Sequence, residues 1–242
     1  MTKEKLELSL ELELDDKNIK DVVEQFRCPK GDVGIVMGEF LNNTNNGIIK
    51  ESIEALDLDD KNRVLELGHG NCSHLPFLME QAAHLKYFGM EISDVMLKEA
   101  SRINADYIKN KDVLFQLYDG IRVPYVHNIF DRILTVNTIY FWGNPVTYLQ
   151  EMFRVLKPGG IFVLAFTNSK FIEELSLVAN SDDFVLYNKQ DIENMIAETD
   201  FIVSDIEDRI EKRKDKDGNW VDTNYNLFVL KKKERIRYYT RS

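Results

Sequence analysis

The fold is decided by the stretch Val64-Leu65-Glu66-Leu67-Gly68-His69-Gly70, in which a short, mostly apolar run ends in two glycines. The run is typical of a buried strand in a parallel sheet, and the glycines allow a tight turn into the next helix. A glycine turn at a strand end also lets the backbone approach a ligand closely. The stretch therefore predicts a nucleotide-binding turn or, in the simpler alternative, a strand-to-helix turn without a ligand.

Segments downstream of this stretch alternate between strand and helix. Apolar residues recur at spacings of three and four in the helical segments and form short continuous runs in the strands. Asn144-Pro145 is typical of a helix start, and Lys157-Pro158-Gly159-Gly160 of a helix end. The predicted inner strands are 63–67, 87–90, 113–117, 130–136 and 161–166.

The chain ends differently, with two apolar strands at 201–206 and 225–230 on either side of Asp217-Gly218. Asp-Gly is a turn signal, so these strands should form an antiparallel hairpin. We therefore predict an α/β fold: a doubly wound, mostly parallel seven-stranded sheet of the Rossmann-like type, with an antiparallel C-terminal strand and an N-terminal helical cap. We expect an arm and cap at 1–46 and the main sheet domain at 47–242.

The first 46 residues carry two different patterns. Leucine alternates with glutamate or serine over 6–14, and this period of two predicts either a strand or a loosely held acidic arm. As a strand, the arm could pair with a sheet edge or make a homodimer. Helical spacing begins at residue 18, breaks near Pro29 and resumes in a short helix at 35–41, and the composition of 42–47 predicts a turn.

The composition limits the class of function. The chain has 242 residues, with 31 Lys and Arg against 41 Asp and Glu, so its net charge is −10. Since phosphate contacts dominate binding to nucleic acid, we expect no nucleic-acid partner. No run approaches the roughly 18 apolar residues of a membrane helix. The only cysteines, Cys28 and Cys72, allow no disulfide framework, and we expect a cytoplasmic protein without a secretory signal or membrane partner.

The ligand of the glycine turn is narrowed by three positions. Glu91 lies 21 residues beyond Gly70 at a strand end, where a carboxylate can accept both hydroxyls of a ribose. A dinucleotide fingerprint would need a third glycine where Ser73 stands, and no phosphate loop is present. Glu66 would repel a phosphate and attract an ammonium group. These features favour a nucleoside that carries no pyrophosphate.

Together these motifs make the sequence resemble the class I S-adenosylmethionine-dependent methyltransferases, in particular the bacterial small-molecule type. The resemblance covers 48–230 and extends to an upstream cap segment, Gln25-Phe26-Arg27-Cys28-Pro29-Lys30-Gly31. Cys72 stands where the family often has a third glycine, which affects the local loop geometry. The matching motifs are Val64–Gly70, Glu91, Tyr118-Asp119-Gly120, Phe130-Asp131-Arg132-Ile133 and Leu156-Lys157-Pro158-Gly159-Gly160.

The resemblance implies a cofactor, S-adenosylmethionine, and a role for each matching residue. Glu66 would anchor the amino-acid end of the cofactor, directly or through a water, and Glu91 would bind the ribose. Ile92 would pack on the adenine, and Asp119 would accept from its amino group. The remaining implied contacts are Gly68, His69 and Gly70 beneath the cofactor, Gly120 beside Asp119, and Asn137 near the methionine portion.

An aromatic run follows the fourth strand and predicts the acceptor site. Tyr140-Phe141-Trp142 would face the methyl group, and Tyr140 and Trp142 could wall a pocket for an apolar or aromatic acceptor. The alternative is that these rings hold the loop onto the next helix. His69, His127 and Tyr140 are possible general bases, and none of the three is assigned as catalytic.

A metal site is a competing interpretation of the histidines and cysteines. Imidazole and thiolate ligands suit zinc, and His69, Cys72, His74 and His84 offer them, but no pair of cysteines spaced for zinc accompanies them. We therefore expect no metal. A basic, aromatic tail at 231–239 could contact an anionic surface, although a solvated chain end is the simpler interpretation.

The function expected from the sequence is methyl transfer from S-adenosylmethionine to a small-molecule acceptor. Two alternatives remain open at this point. One is a methyltransferase acting on RNA or protein. The other is a relative that binds the cofactor without transferring methyl, or a nicotinamide oxidoreductase.

Overall fold

The computed structural model describes residues 16–168, 184–214 and 220–234. The arm at 1–15, the Asp217-Gly218 turn and the tail beyond residue 234 lie outside these ranges, so their predicted structures stay predictions. The same holds for the division of the chain at residue 46.

The sheet has the predicted seven strands in the order β3-β2-β1-β4-β5-β7-β6. Strands β1 to β5 are parallel, and β7 runs antiparallel to both β5 and β6. The predicted Rossmann-like α/β fold with a terminal hairpin is therefore confirmed. The strands are β1 Arg63–Leu67, β2 Lys86–Glu91, β3 Val113–Leu117, β4 Phe130–Val136, β5 Leu156–Asn168, β6 Ile202–Lys214 and β7 Trp220–Lys231.

Helices connect the strands and form the cap. Ser93 and Asn144 begin α5 and α7 by accepting a hydrogen bond from the backbone N–H three residues on, which is the ordinary role of a helix N-cap. The helices are α1 Asp16–Arg27, α2 Gly31–Thr44, α3 Asn46–Glu54, α4 Leu75–Met79, α5 Asp94–Ile103, α6 Ala105–Lys109, α7 Pro145–Val155 and α8 Lys189–Ala197, with a 3-10 turn at Ile139–Phe141.

Several predicted boundaries are wrong, since α2, β6 and β7 are all longer than the predicted 35–41, 201–206 and 225–230. Two of the differences have a clear cause. The expected turn at 42–47 is reduced to Asn45, because α2 continues to Thr44 and α3 starts at Asn46. The helix does end before Lys157-Pro158-Gly159-Gly160, but the fifth strand starts earlier than the predicted residue 161, since pairing of β5 with β4 begins at Leu156 and resumes after a register shift. In both cases longer-range packing and pairing override local turn propensity.

Buried side chains fill both faces of the sheet. One cluster, with Leu65, Phe162 and Trp142 among its members, also takes in Val22 and Val23 of the cap helix α1. The other cluster packs α3, α4 and α5 against the opposite face. The cap is therefore part of the core. No helix among the described residues has the length and apolar character needed to cross a membrane.

The cap is fixed to the turn between β2 and α5 by close contacts. The Ser93 hydroxyl donates to the carbonyl of Pro29 at 2.5 Å, and the Cys28 thiol lies 3.8 Å from the carbonyl of Ile92. In α2, a side chain at Gly38 would lie 2.5 Å from the sulfur of Met96. These contacts place the cap beside the end of β2, where Glu91 lies.

Candidate functional site

The two glycines after β1 have different structural roles. Both adopt left-handed backbone conformations, with φ of 70° at Gly68 and 57° at Gly70, which favour glycine. A Cβ on Gly68 would lie 2.5 Å from Cγ2 of Thr138, whereas a Cβ on Gly70 would have no atom within 4 Å. Gly68 is thus required by a packed neighbour, and Gly70 borders open space that a ligand can occupy.

Glu91 closes the glycine turn from the end of β2. Its carboxylate accepts from three backbone N–H groups, those of Gly70 at 3.0 Å, Ile92 at 2.7 Å and Ser93 at 3.0 Å. Burial raises the pKa of Glu91, and these three donors oppose that rise. A carboxylate has about four acceptor positions, so capacity remains for a ribose hydroxyl.

The end of β3 supplies the predicted adenine contacts. A Cβ on Gly120 would lie 3.2 Å from Cγ2 of Ile92, so these two residues are adjacent. Asp119 accepts with Oδ1 from the N–H groups of Ile121 and Arg122, both at 2.8 Å. These bonds hold the pKa of Asp119 below its usual value. They fix its exposed carboxylate while using only one of its two oxygens.

Glu66 belongs to a buried polar cluster, which we call the Glu66 cluster and which comprises Glu66, Cys72, His74 and Tyr87. Glu66 Oε2 accepts from the Tyr87 hydroxyl at 2.6 Å and lies 3.0 Å from His74 Nε2. Burial alone would raise the pKa of Glu66, but His74 and Tyr87 bring it below the usual value. Burial alone would lower the pKa of His74, and Glu66 raises it well above the usual value. These two opposite shifts in pKa favour the ionised form of the pair, with a charge on both groups.

The hydroxyl proton of Tyr87 fixes the direction of the bonds in this cluster. Because it goes to Glu66, the Cys72 thiol at 3.2 Å must donate to the tyrosine oxygen. The side-chain amide of Asn104 donates to the backbone carbonyl of Cys72 at 3.0 Å. Cys72 itself has a left-handed φ of 51°. The side chains of the cluster and Asn104 thus support the glycine turn from below.

The Glu66 cluster also resembles a metal site in composition. One ligand atom each of Glu66, Cys72 and His74 lies within 4.8 Å of the others, and zinc accepts such donors. A metal-bound imidazole normally has a partner for its second ring nitrogen, whereas Nδ1 of His74 has none in the described part of the chain. The hydrogen bonds account for the arrangement.

His69 is buried beside this cluster. Its Nδ1 lies 2.8 Å from the carbonyl of Gly70, so Nδ1 carries a proton. Burial lowers the pKa of His69 to about 4, and the ring is neutral at pH 7. Its ring stacks obliquely on Phe115 at 4.9 Å between centroids. His69 therefore supports the turn with its side chain, and the predicted contact with the cofactor would come from its backbone.

Asn137 follows β4 with a left-handed φ of 55°. Its side-chain oxygen accepts from the Thr167 N–H at 2.8 Å and lies 3.1 Å from the Tyr140 hydroxyl. That hydroxyl has one proton, which it donates to the nearer Thr167 carbonyl at 2.6 Å, and the Tyr140 ring stacks on Phe184. The side-chain carbonyl of Asn137 thus stabilises the local structure. The predicted contact between Asn137 and the cofactor stays a prediction.

Trp142 connects the aromatic loop to β1. Its ring stacks on Tyr148 at 4.0 Å between centroids, and its N–H donates to the Thr138 hydroxyl at 3.2 Å. Thr138 lies 2.6 Å from the Thr135 hydroxyl, which donates to the Leu67 carbonyl at 3.0 Å. Each hydroxyl has one proton, so the bonds run in one direction from Trp142 to Leu67.

Tyr140 and Trp142 are 3% and 7% exposed, respectively. The stacking of Trp142 on α7 agrees with the alternative that these rings hold the loop in place. Their predicted role in acceptor binding stays a prediction, and any contact with an acceptor would use only the small exposed part of each ring.

The structure thus brings the glycine turn, Glu91, Ile92 and Gly120 to one edge of the sheet, with Asp119 adjacent to Gly120. Sequence reasoning missed the roles of Tyr87, Thr135 and Thr138, and it did not connect His74 with Glu66. Tyr87 reaches Glu66 through the β1–β2 register, which pairs it with Val64, two residues before Glu66, and no motif in the sequence signals that register. The threonines carry no motif.

Proteins similar to this chain include methyltransferases. A family profile described as a methyltransferase domain matches residues 65–164. The uncharacterized methyltransferase YdaC of Bacillus subtilis strain 168 is 23% identical over 126 residues, which are 52% of this chain and 67% of YdaC. The methyltransferase GfsG of Streptomyces halstedii is 30% identical over 114 residues, which are 46% of this chain and only 40% of GfsG.

A solved structure extends the similarity to most of the fold. Geranyl diphosphate C-methyltransferase of Streptomyces coelicolor A3(2), in complex with Mg²⁺, geranyl diphosphate and S-adenosyl-L-homocysteine, superimposes with a TM-score of 0.63. The alignment covers 77% of each chain at 11% sequence identity. At this identity the likeness concerns the fold.

Proposed function

We propose that this chain, which is a class I S-adenosylmethionine-dependent methyltransferase, transfers its methyl group to an apolar small-molecule acceptor. Its assignment to the family rests on the methyltransferase profile over 65–164, the similarity to YdaC and the shared fold. The acceptor class and the residue roles below are the proposed part.

One observation carries the proposal for the site. Three neighbouring strands, β1, β2 and β3, end at one edge of the sheet, where ligands bind in open α/β sheets. Each end offers one element suited to the cofactor: open space at Gly70, the Glu91 carboxylate and the Asp119 carboxylate. We assign the space at Gly70 to close contact between the cofactor and the protein backbone. We assign Glu91 to the ribose and Asp119 to the adenine amino group.

The bound cofactor supplies a methyl group that is already activated as part of a sulfonium. The chain's own residues then need to bind, orient and enclose the reactants, which alone can contribute a large part of the rate. Glu66, with its partly open carboxylate, is assigned to the ammonium of the cofactor. No residue is assigned as a general base.

The acceptor class is argued from the aromatic side chains near this edge. Phe26 of α1, Tyr118 after β3 and Phe141 of the 3-10 turn are partly buried and pack against the core cluster that contains Tyr140 and Trp142. Partly exposed rings from three separate elements favour an apolar or aromatic acceptor. The S. coelicolor neighbour, whose structure contains geranyl diphosphate, gives an example on the same fold of a small molecule with an apolar chain, although its diphosphate is charged. The net charge of −10 disfavours RNA.

Calorimetry and a labelling assay test the proposal. We expect S-adenosylhomocysteine to bind at one site with NADH showing no binding, because the site lacks a pyrophosphate loop. With labelled S-adenosylmethionine, methyl should pass to an apolar fraction of a small-molecule extract and not to transfer RNA or denatured protein. Label in RNA or protein would contradict the acceptor class, and binding without any transfer would contradict the enzymatic role.

A further inference from the structure

We propose that Tyr87 and His74 are positioning residues that hold one oxygen of Glu66 so that its other oxygen faces the amino-acid end of the cofactor. The inference rests on the proposed function, since it assigns Glu66 to the ammonium group. It concerns two residues that no motif of the sequence marks as functional.

The two oxygens of Glu66 have unequal surroundings. Oε2 accepts from the Tyr87 hydroxyl at 2.6 Å and pairs with His74 Nε2 at 3.0 Å. Oε1 accepts no hydrogen bond from any described residue, and it is not completely enclosed by them. The side chain as a whole is only 3% exposed. The carboxylate is thus held by one oxygen and accessible at the other.

Two donors on one oxygen fix the orientation of the carboxylate. Tyr87 reaches Glu66 from the neighbouring strand β2, and His74 reaches it from the turn that precedes α4. The Cys72 thiol in turn donates to the Tyr87 oxygen and limits its rotation. Rotating the carboxylate would break both bonds in a buried environment, where a lost partner is costly.

This arrangement predicts selectivity within the cofactor. S-Adenosylhomocysteine carries the amino-acid end, whereas 5′-methylthioadenosine has the same nucleoside and lacks that end. Misdirecting Glu66 should therefore weaken binding of the first ligand and spare the second. A general loosening of the glycine turn would weaken both, because both ligands contact Gly68, Gly70 and Glu91 in the proposed site.

The test is Tyr87→Phe, which removes one hydroxyl and retains the ring. We expect the Kd for S-adenosylhomocysteine to rise by about fivefold to tenfold, which is less than for loss of a hydrogen bond made directly to a charged group, because His74 still holds Glu66. The Kd for 5′-methylthioadenosine should change less than about twofold. Tyr225→Phe is the matched control, since it also removes a buried hydroxyl bonded to a carboxylate, that of Glu51 on the same face of the sheet, and should change neither Kd.

The outcomes separate this inference from the proposed function. If the wild-type chain binds neither ligand, the proposed function fails. If it binds both, and Tyr87→Phe weakens the two equally or weakens neither, the positioning role is overturned. Should Tyr87→Phe not fold, His74→Gln gives the same comparison, and a selective loss of S-adenosylhomocysteine affinity again supports the role.

Discussion

The two sides of Gly68 are built from different kinds of contact. On the cofactor side, buried ionisable groups and backbone donors predominate, as in the Glu66 cluster and in Glu91 with its three N–H partners. On the aromatic side, the Trp142 ring and the neutral hydroxyls of Thr135 and Thr138 carry the contacts. The first side depends on charge and the second on volume and shape.

This difference predicts that mutations on the two sides will have different effects on stability and ligand affinity. Removing a carboxylate that accepts several buried donors leaves those donors unpaired, so the loss includes both stability and ligand affinity. Removing a ring leaves a cavity, and the loss is mostly stability. Changes of charge, pH and side-chain volume should therefore separate the two sides experimentally.

The largest expected effect is that of Glu91→Ala. Three backbone N–H groups lose their acceptor, and at about 1–3 kcal/mol for each buried donor the free energy of unfolding should fall by about 3 kcal/mol or more. Affinity for S-adenosylhomocysteine should fall at least about tenfold, because the variant also lacks the carboxylate that we propose as the acceptor for the ribose. Chemical denaturation and calorimetry measure the two effects.

Glu91→Gln is the matched variant, because its amide oxygen can still accept two of the three bonds. It should recover part of the stability and less of the affinity. Unchanged ligand affinity in either variant would contradict the assignment of Glu91 to the ribose. It would also weaken the contrast between the two sides.

Trp142→Ala should act mainly on stability. The ring is 7% exposed and stacks on Tyr148, and loss of a buried tryptophan ring typically costs about 3–5 kcal/mol. Cofactor affinity should change by less than about threefold, because the bond between Thr138 and Thr135 can persist. If the exposed part of the ring also contacts the acceptor, KM for the acceptor should rise with little change in kcat.

Trp142→Phe separates the ring from its N–H, since it retains stacking and removes the donor. It should cost clearly less stability than Trp142→Ala. Equal losses in the two variants would mean that the hydrogen bond to Thr138, and not the stacked ring, holds the aromatic loop.

A pH titration should affect the cofactor side through His69. Burial lowers its pKa to about 4 in the folded chain, whereas an unfolded histidine titrates near 6.5. The unfolded state therefore binds the proton first as pH falls. The stability that depends on neutral His69 is complete above about pH 6.5 and decreases toward pH 4, by up to about 3 kcal/mol.

His69→Asn isolates this contribution, because other buried groups titrate in the same range. The wild-type free energy of unfolding should decline more steeply than that of the variant between pH 6.5 and pH 4. If the free energies of unfolding of the two proteins change with pH in parallel, His69 has the same pKa in the folded and unfolded states, and the expected effect of burial is wrong.

The smallest expected effect is that of Thr138→Val, which keeps the methyl group against Gly68 and removes the hydroxyl. The Trp142 N–H then lacks its acceptor, and about 1–2 kcal/mol of stability should be lost. Thr138→Ser retains the hydroxyl and should lose less. If serine is the worse of the two, the methyl contact with Gly68 matters more than the hydrogen bonds.

Much of the fold could be predicted from local patterns. The apolar runs identified the parallel strands, and Asn144-Pro145 correctly indicated a helix start. The places of Gly68, Gly70 and Glu91 at strand ends and in the turn could be predicted because strand ends and glycine turns restrict which residues fit. These are short-range constraints, and a single sequence displays them directly.

The supporting contacts could not be predicted in the same way. Tyr87 meets Glu66 only because β2 pairs beside β1, and Thr135 meets Leu67 only because β4 lies on the other side of β1. Such contacts depend on strand order and register. The same long-range pairing moved the start of β5 to Leu156.

The two hydrogen bonds of the Ser93 hydroxyl restrict which residues can occupy position 93. The hydroxyl accepts from the Met96 N–H to begin α5, and it donates to the Pro29 carbonyl to hold the cap. At most helix starts aspartate serves as well as serine, but an ionised aspartate has no proton to donate. The cap thus narrows the residues allowed at position 93 to those with a hydroxyl, and a saturation library should retain serine and threonine there while rejecting aspartate.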